Sequence, residues 1–257
     1  MFIDLNCDMG ESFGDYCLGC DDQVIRHITS ANLACGFHAS DPLVMDKTVR
    51  LCAANGVAVG AHPGYPDLRG FGRRNLDSTP EEVRTDLLYQ VGALAGIAKA
   101  HGVALQHVKP HGALYNTAAA HPATAQAIVQ AVASYDPSLI LVTLAGPGGE
   151  TFRTIARQVG LIVASEAFAD RAYTAEGRLV PRGTQGAVIH DPEVVAARCV
   201  RMATEGVVEA IDGNLVELKA DTICVHGDNP SAVELVKAVG LALAEAGVEL
   251  RAMSQAA

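Results

Sequence analysis

Side chains that can do acid–base or ligand chemistry are concentrated just beyond short apolar runs of this sequence. The densest segment, Gln106–Tyr115, reads QHVKPHGALY and places His107, Lys109 and His111 directly after the apolar residues Val103–Leu105. Imidazole, carboxylate and ammonium groups transfer protons, bind anions or hold a divalent cation. Comparable clusters are Asn6-Cys7-Asp8, Gly36-Phe37-His38, His62-Pro63-Gly64, Glu166 and His226-Gly227-Asp228.

These groups are expensive to bury one at a time. An unpaired amide or hydroxyl costs roughly 2–7 kcal/mol in an apolar interior, and an unpaired ion costs more. Each residue alone has an ordinary structural interpretation: a single histidine is usually structural, Asp8 alone can cap a loop and Lys109 alone can be solvated. Together they must be solvated, hydrogen-bonded to one another or bound to a ligand, and all three conditions describe a cleft.

Strands and helices alternate along the chain, which predicts a parallel α/β fold with right-handed crossovers. The predicted strands are Phe2–Cys7, Ser30–Cys35, Val57–Ala61, Val103–Val108, Leu139–Leu144, Leu161–Ser165 and Thr222–Val225. The predicted helices are Pro42–Asn55, Pro80–His101, Pro122–Ser134, Glu150–Val159, Pro192–Glu205 and Pro230–Ala246. Because parallel strands end at a common rim, where barrels and open sheets bind ligands, the polar clusters are expected to meet there.

Two segments depart from this alternation. Val208–Leu218 is predicted to form a small hairpin that turns at Asp212-Gly213. Tyr173–Gln185 is long and polar, and is predicted to be either a lid or an ordered excursion. Asp-Pro and Asn-Pro pairs, including Asn229-Pro230, predict helix starts. No composition shift divides the chain, so one domain over residues 1–257 is expected.

Composition narrows the function classes. Formal charge is −10 without a basic cluster, so neither nucleic acid nor an anionic membrane is an expected partner. Neither a secretory leader nor a membrane-spanning segment is expected, because residues 1–10 are acidic and the apolar runs are short or interrupted. Seven cysteines, an odd count, favour a reducing cytoplasm over a disulfide framework. The chain is therefore predicted to be cytoplasmic.

Seven stretches, in order along almost the whole chain, give the sequence a specific resemblance. They are DLNCDMGESFG (4–14), SANLACGFHASDP (30–42), GAHPGYPDLRGFGRR (60–74), KPHGALYN (109–116), EAFADRAY (166–173), LVPRG (179–183) and DTICVHGDNP (221–230). On these residues the chain resembles the LamB/YcsF family. One departure is Ser40, which stands where the family often has glycine.

The resemblance implies a fold and an activity. The implied fold is an irregular, seven-stranded-type β/α (TIM-like) barrel of the glycoside hydrolase/deacetylase kind. The implied activity is that of a protein that works with two other subunits, B and C, to open the lactam ring of 5-oxo-L-proline (pyroglutamate) to L-glutamate, with hydrolysis of ATP to ADP and phosphate. The sequence carries no P-loop, which is consistent with ATP being handled mostly with the partner subunits.

Roles can be fitted to this chemistry as hypotheses. Asp8, Glu11 or Glu166 would be the general base, and His62, His111 or His226 an acid or oxyanion donor. An anionic substrate group would be bound by Lys109, Arg171 or Arg182. The predicted site also includes His38 as a catalytic residue, and Asn6 and Asp228 as substrate-binding residues.

The same residues also fit a metal site and two other functions. Asp8, His62 and His111 are candidate ligands for a divalent metal, although the neighbouring Lys109 would repel a cation. One alternative function is a stand-alone metal-dependent amidohydrolase or carbohydrate deacetylase. Another is a non-catalytic subunit that only binds the substrate.

Overall fold

Seven parallel strands form a closed barrel in the computed structural model, which describes residues 1–253. The barrel strands are β1 (Phe2–Met9), β2 (Ser30–Ala34), β3 (Ala58–His62), β4 (Leu105–Val108), β5 (Ile140–Leu144), β6 (Val163–Phe168) and β9 (Thr222–Val225). The remaining strands are β7 (Val207–Glu209), β8 (Leu215–Glu217) and β10 (Glu249–Leu250). Each predicted strand overlaps one barrel strand, so the predicted TIM-like barrel is confirmed.

The first and last barrel strands close the ring. β1 pairs in parallel with β9, with Asp4 opposite Thr222 and Asn6 opposite Cys224, and it also pairs with β2. β10 adds two residues alongside the start of β1. Since β1 has neighbours on both sides, its inward-facing residues lie at the centre of the barrel rather than at a sheet edge.

Helices surround the barrel. They are α1 (Asp21–Val24), α2 (Pro42–Asn55), α3 (Pro80–Ala100), α4 (Gly112–Ala120), α5 (Pro122–Tyr135), α6 (Glu150–Gln158), α7 (Pro192–Thr204) and α8 (Ala232–Glu245). Local signals explain several starts: Asp41 accepts hydrogen bonds from the first-turn amides of α2, and Thr79 and Glu82 form a reciprocal capping box on α3. No helix within residues 1–253 is both long and apolar enough to cross a membrane.

One helix was predicted to start two residues too early, and another helix was not predicted. α8 begins at Ala232 instead of Pro230, because the Asn229 side chain does not cap it: Nδ2 donates to Asp170, and Oδ1 accepts from the Ser231 backbone N–H. α4 was not predicted at all. It follows directly after His111, and its sequence GALYNTAAA lacks the polar face that marks a surface helix.

The two faces of β1 show how the barrel separates apolar from polar packing. Ile3, Leu5 and Cys7 belong to the hydrophobic core between strands and helices. Asp4, on the opposite parity, is buried inside the barrel and accepts hydrogen bonds from Ser30, Thr29 and Thr222. Burial nevertheless raises the pKa of Asp4. Asn6 and Asp8 continue this inner face toward the carboxyl ends of the strands.

The two irregular segments are both ordered. Residues 207–217 form the predicted hairpin, with Gly213 in the left-handed region at φ +85°. The polar segment after β6 is an excursion that folds back on itself through a bridge between Tyr173 and Leu179. The buried Arg171 fastens it by donating to the carbonyls of Val180 and Ala187.

Candidate active site at the carboxyl ends of the strands

A cavity of about 500 Å³ opens at the carboxyl ends of the barrel strands. Several residues predicted from the sequence line it, namely Asp8, His62, Lys109, His111, Arg171, Arg182 and His226. Other predicted residues lie behind this wall and are buried, namely Asn6, Glu11, His38 and Glu166. Asp228 is ion-paired with Arg73, a cavity-lining residue. The strand direction therefore brings the predicted groups to one place.

Lys109 is at the centre of the buried charges. Its ammonium group lies 2.8 Å from Asp8 Oδ1, 2.8 Å from Glu166 Oε1 and 3.1 Å from the Cys224 sulfur, and the side chain is 2% exposed. Burial alone would lower the pKa of Lys109, but the facing acidic groups outweigh it and raise this pKa well above its usual value. The ammonium is thus held charged between two carboxylates.

One of the two carboxylate oxygens of Asp8 contacts other groups of the protein. Oδ1 accepts hydrogen bonds from Lys109 and from the Asn32 amide at 2.9 Å, and lies 3.5 Å from His62 Nε2. Oδ2 has no hydrogen-bond partner among residues 1–253. Burial would raise the pKa of Asp8, but His62 and Lys109 together hold it well below the usual value. Asp8 therefore presents an ionised carboxylate to the cavity with one oxygen free.

A hydrogen-bonded column inside the barrel supports Asp8. Asn32 donates to Asn6 Oδ1 at 2.6 Å as well as to Asp8, and His107 Nε2 donates to Asn32 Oδ1 at 2.7 Å. Burial, followed by the charge of Lys109, lowers the pKa of His107 to about 3. The ring lies directly against Gly60, where a β-carbon would overlap it. His107 is thus a neutral, buried support below the cavity.

Glu166 has no free oxygen. Asn6 Nδ2 and Lys109 approach Oε1, and the Tyr115 hydroxyl donates to Oε2 at 3.0 Å. Burial and the neighbouring Glu166 raise the pKa of Tyr115 well above its usual value, so the phenol remains a donor. Tyr115 was not among the residues predicted from sequence, although it lies within the KPHGALYN stretch, on the unpredicted helix α4.

The imidazole rings of His62 and His111 meet at their edges. His62 Nδ1 donates to the Lys109 carbonyl at 2.8 Å, and His111 Nε2 donates to the Phe71 carbonyl at 2.9 Å. A carbonyl oxygen can only accept, so each of these ring nitrogens carries the hydrogen. The other two nitrogens, His62 Nε2 and His111 Nδ1, lie 2.9 Å apart. In the neutral rings both carry lone pairs, so a proton or a cation is required between them.

Glu11 and His38 complete a compact donor set with this pair. The His38 ring stacks on His111 at 3.7 Å between centroids, and His38 Nε2 lies 3.3 Å from Glu11 Oε1. One ligand atom from each of Glu11, His38, His62 and His111 lies within 4.8 Å of all the others. His38 Nδ1 is buried without a partner in the described part of the chain.

The protonation states of His38 and His111 suit a metal. Burial, with neighbouring histidines, lowers the pKa of His38 and of His111 well below the usual value, so both rings are neutral ligands. Burial and the charge of Asp8 raise the pKa of Glu11 well above its usual value, as expected for a carboxyl group without a cation beside it. Three imidazoles and one carboxylate form a set typical of zinc and similar divalent ions. Of the predicted trio, His62 and His111 belong to this set, and Asp8 borders it.

The cavity lining also includes the histidine of a histidine–carboxylate pair. His226 Nδ1 donates to Asp170 Oδ1 at 2.8 Å, and Asn229 donates to Asp170 Oδ2 at 3.1 Å. The His226 ring stacks on Phe168 at 5.2 Å. Burial would raise the pKa of Asp170, but His226 and Asn229 reverse the effect and lower it. Asp170 was missed from sequence, although it lies within the EAFADRAY stretch.

The two arginines predicted to bind the substrate differ in whether their guanidinium groups already have hydrogen-bond partners. Arg171 is committed to two backbone carbonyls, and burial lowers its pKa to about 10. Arg182 lines the cavity, and its guanidinium has no hydrogen-bond partner within residues 1–253. Burial and the neighbouring Arg73 lower the pKa of Arg182. Arg182 is thus a cavity-lining cation whose guanidinium is uncommitted within residues 1–253.

Comparison with known proteins places the chain among full-length relatives. Residues 3–257 match the LamB/YcsF family. The chain is 56% identical over 255 residues to the A subunit of 5-oxoprolinase from Pyrococcus horikoshii, covering 99% of both chains. It is 56% identical over 253 residues to the protein of the same name from Syntrophobacter fumaroxidans, covering 98% of this chain and 99% of the relative.

Solved structures agree with this similarity. The lactam utilization protein from Thermus thermophilus is 52% identical and superposes with a TM-score of 0.92, covering 98% of this chain and all of that one. A putative cellobiose-phosphate cleavage protein from Enterococcus faecalis shares the fold, with a TM-score of 0.53 at 13% identity, covering 96% of this chain and 95% of that one. Because the family model matches the chain from Ile3 onward, this chain belongs to the LamB/YcsF family.

Proposed function

We propose that this chain is the A subunit of an ATP-dependent 5-oxoprolinase. In this function it acts with partner subunits B and C to open the lactam of 5-oxo-L-proline to L-glutamate, with hydrolysis of ATP to ADP and phosphate. The observation that carries the proposal is 56% identity, over 99% of both chains, to a protein that bears the name of the 5-oxoprolinase A subunit. The cavity supplies groups that such a hydrolysis needs.

Asp8 is the best placed general base. Both oxygens of Glu166 are engaged, and Glu11 lies behind the cavity-lining histidines. Asp8 Oδ2 is free, in a side chain that lines the cavity. Lys109 holds the Asp8 carboxylate in place through Oδ1, which leaves Oδ2 to accept a proton from an attacking water.

Arg182 is the best placed group for the negative charge of the substrate. 5-Oxoproline carries a carboxylate, and an activated form also carries a phosphate. The Lys109 ammonium is already balanced by Asp8 and Glu166, whereas the Arg182 guanidinium is uncommitted within residues 1–253. A guanidinium binds either anion through two parallel hydrogen bonds.

The role of ATP in this function is to activate the lactam. An amide carbonyl is a poor electrophile, and phosphorylation of its oxygen turns that oxygen into a leaving group. Because the chain has no P-loop, we assign the binding of ATP mainly to the partner subunits. Ring opening of the activated lactam is assigned to the cavity of the chain described here.

We further propose that Glu11, His38, His62 and His111 hold a divalent metal ion. The two facing lone pairs support this assignment, as does the closeness of the four ligand atoms to one another. A bound divalent ion would act as a Lewis acid toward a water or carbonyl oxygen. The protein groups around it are those already described: Asp8 accepts a proton, and Arg182 binds the anion.

The cysteines support a cytoplasmic location for this activity. All seven are free thiols, five of them buried and two, Cys17 and Cys20, exposed. Free thiols persist in reducing compartments. We therefore propose that the protein acts in the cytoplasm.

The test is an assay of glutamate formation with the chain alone and with subunits B and C, each with and without ATP and divalent metal. The proposal expects turnover only with partners and ATP. Metal-dependent turnover by the isolated chain would instead support a stand-alone amidohydrolase. Within the complex, Asp8→Asn is expected to lower kcat by about 100-fold or more, and full activity of this variant would support a protein that only binds the substrate.

A further inference from the structure

We propose that His226 is the acid that protonates the departing lactam nitrogen, and that Asp170 is the residue that positions it. This inference rests on the proposed function and deepens it. It assigns one histidine to one atom of the substrate, and it gives a role to a carboxylate that the general chemistry of the site leaves unused.

The geometry of the pair determines which nitrogen can act. Asp170 Oδ1 accepts from His226 Nδ1 at 2.8 Å, and Asn229 fixes the other carboxylate oxygen. The ring is held flat against Phe168, with 17° between the planes. Nε2 has no hydrogen-bond partner in the described chain, and the side chain lines the cavity. Because Nδ1 is engaged by the carboxylate, Nε2 is the ring nitrogen left to face a substrate, and in the imidazolium form it carries a hydrogen to donate.

The other histidines at this end of the barrel are unsuited to the role. His62 and His111 each donate one N–H to a backbone carbonyl and direct the other nitrogen at each other. His38 and His107 are fully buried behind the wall. Among the histidines of residues 1–253 that line the cavity, only His226 has a ring nitrogen without a protein partner.

A proton on the ring nitrogen is needed because the tetrahedral adduct can break down in two ways. Water adds to the activated carbonyl carbon and gives up a proton to Asp8, which leaves an adduct that carries hydroxyl, phosphate and ring nitrogen on one carbon. If the carbon–oxygen bond to phosphate breaks, the lactam re-forms and the ATP has been spent without ring opening. If the carbon–nitrogen bond breaks, its electron pair goes to nitrogen, which takes the Nε2 proton of His226, while the hydroxyl becomes the acyl carbonyl and its proton is released to solvent. The open-chain acyl phosphate that results is hydrolysed to glutamate and phosphate.

This competition makes the role of His226 measurable. Phosphate leaves readily, whereas an amine leaves only when it is protonated. An enzyme without the acid should therefore return more of the adduct to the lactam. The ratio of phosphate released to glutamate formed then rises, and a defect in folding or in substrate binding would lower both products together instead.

The experiment measures phosphate and glutamate in the complex of this chain with subunits B and C. His226→Gln is expected to lower glutamate formation by about 100-fold while phosphate release falls much less, so that the ratio rises at least about tenfold, with KM nearly unchanged. Asp170→Asn is expected to shift the ratio in the same direction by less, because an amide that donates to Nδ1 favours the wrong tautomer. His190→Gln is the matched control: His190 is exposed and also contacts Asn229, and the ratio should not change.

Each result decides the matter. A wild-type ratio in both His226→Gln and Asp170→Asn would overturn the proposal. A raised ratio in His226→Gln alone would keep the acid and remove Asp170. If His226→Gln does not assemble, Asp170→Asn carries the test alone. A wild-type complex that forms no glutamate would instead refute the proposed function, so the two failures are distinguishable.

Discussion

His62 Nε2 and His111 Nδ1 face each other at 2.9 Å, and the second nitrogen of each ring donates to a backbone carbonyl. The carbonyls fix both tautomers, so two lone pairs converge on one point. Ligand histidines of metalloproteins are oriented in the same way, by a hydrogen bond from the nitrogen that does not bind the metal. The backbone therefore prepares this pair for a cation before one arrives.

The metal assignment predicts that His111→Gln loses binding of a divalent ion. Removing one ligand should weaken Zn²⁺ binding at least as much as loss of an outer-shell partner does, about 10- to 100-fold. Titration calorimetry with Zn²⁺ and metal content after dialysis are the measurements. The control is His121→Gln, at an exposed position between α4 and α5. Equal Zn²⁺ affinity in wild type and His111→Gln would rule out the assignment.

Lys109→Met is expected to destabilise the protein strongly, because Asp8 and Glu166 would be left buried without their cation. Breaking a buried ion pair from one side costs about 3–5 kcal/mol. Urea unfolding measures this loss. The double variant Lys109→Met, Glu166→Gln should recover part of the stability by removing one orphaned charge. Strictly additive effects of the two substitutions would contradict the coupling.

Gly60→Ala tests the contact between β3 and the His107 ring. The new β-carbon would overlap the imidazole, so His107 must move and lose its bond to Asn32. Overpacking of this kind costs about 1–3 kcal/mol. Gly92→Ala in α3 is the control, since a β-carbon there has nothing within 4 Å and alanine favours the helix by roughly 1 kcal/mol. Thermal unfolding should move in opposite directions for the two variants.

The depressed pKa of His107 predicts a pH-dependent stability. The folded state holds this ring neutral down to about pH 3, whereas the unfolded chain protonates it near its ordinary value of 6.5. Unfolding therefore takes up one proton between these values, and stability falls by about 1.4 kcal/mol per pH unit from this group as pH decreases. Above pH 6.5 the contribution is constant.

The measurement for His107 compares wild type with His107→Gln by urea unfolding across a pH series from neutral to mildly acidic. The slope of stability against pH should be one proton smaller in the variant on the acidic side of the ordinary histidine pKa. Parallel curves over the whole range would show that His107 titrates alike in both states. The comparison of slopes cancels the contributions of the other buried groups to the pH dependence.

Arg182→Met is expected to raise KM for the substrate in the complex, with kcat changed little. A hydrogen bond to a charged group contributes about 1.5–3 kcal/mol, which corresponds to roughly 10- to 100-fold in binding. Arg157→Met, on the exposed end of α6, is the control. A KM equal to that of wild type would show that the substrate anion is bound elsewhere.

Most of the barrel could be predicted from sequence, because each strand is a short apolar run and most are followed by a polar cluster. Part of the cavity lining could be predicted for the same reason, because Asp8, His62 and Lys109 lie where the strands end. Helix α4 could not be predicted, because its small apolar residues show no periodic polar face.

The partners of the site residues could not be predicted. Asp170 gains its importance from His226, 56 residues away, and Tyr115 from Glu166, 51 residues away. Lys109 meets Asp8 across 101 residues, and only the fold shows that its ammonium is neutralised there. Composition and spacing identify the types of group that collect at the rim, whereas the direction of each hydrogen bond depends on tertiary geometry.

The polar column that runs from Asp4 to Asp8 has a consequence for how this protein can be engineered or can drift in sequence. The Thr222 hydroxyl donates to Asp4 and accepts from Asn6, and Asn32 donates to both Asn6 and Asp8. These hydrogen bonds join the base of the barrel to the cavity. A substitution anywhere along the column should alter both thermal stability and turnover. Stabilising changes that leave catalysis intact are therefore best sought in the outer helices.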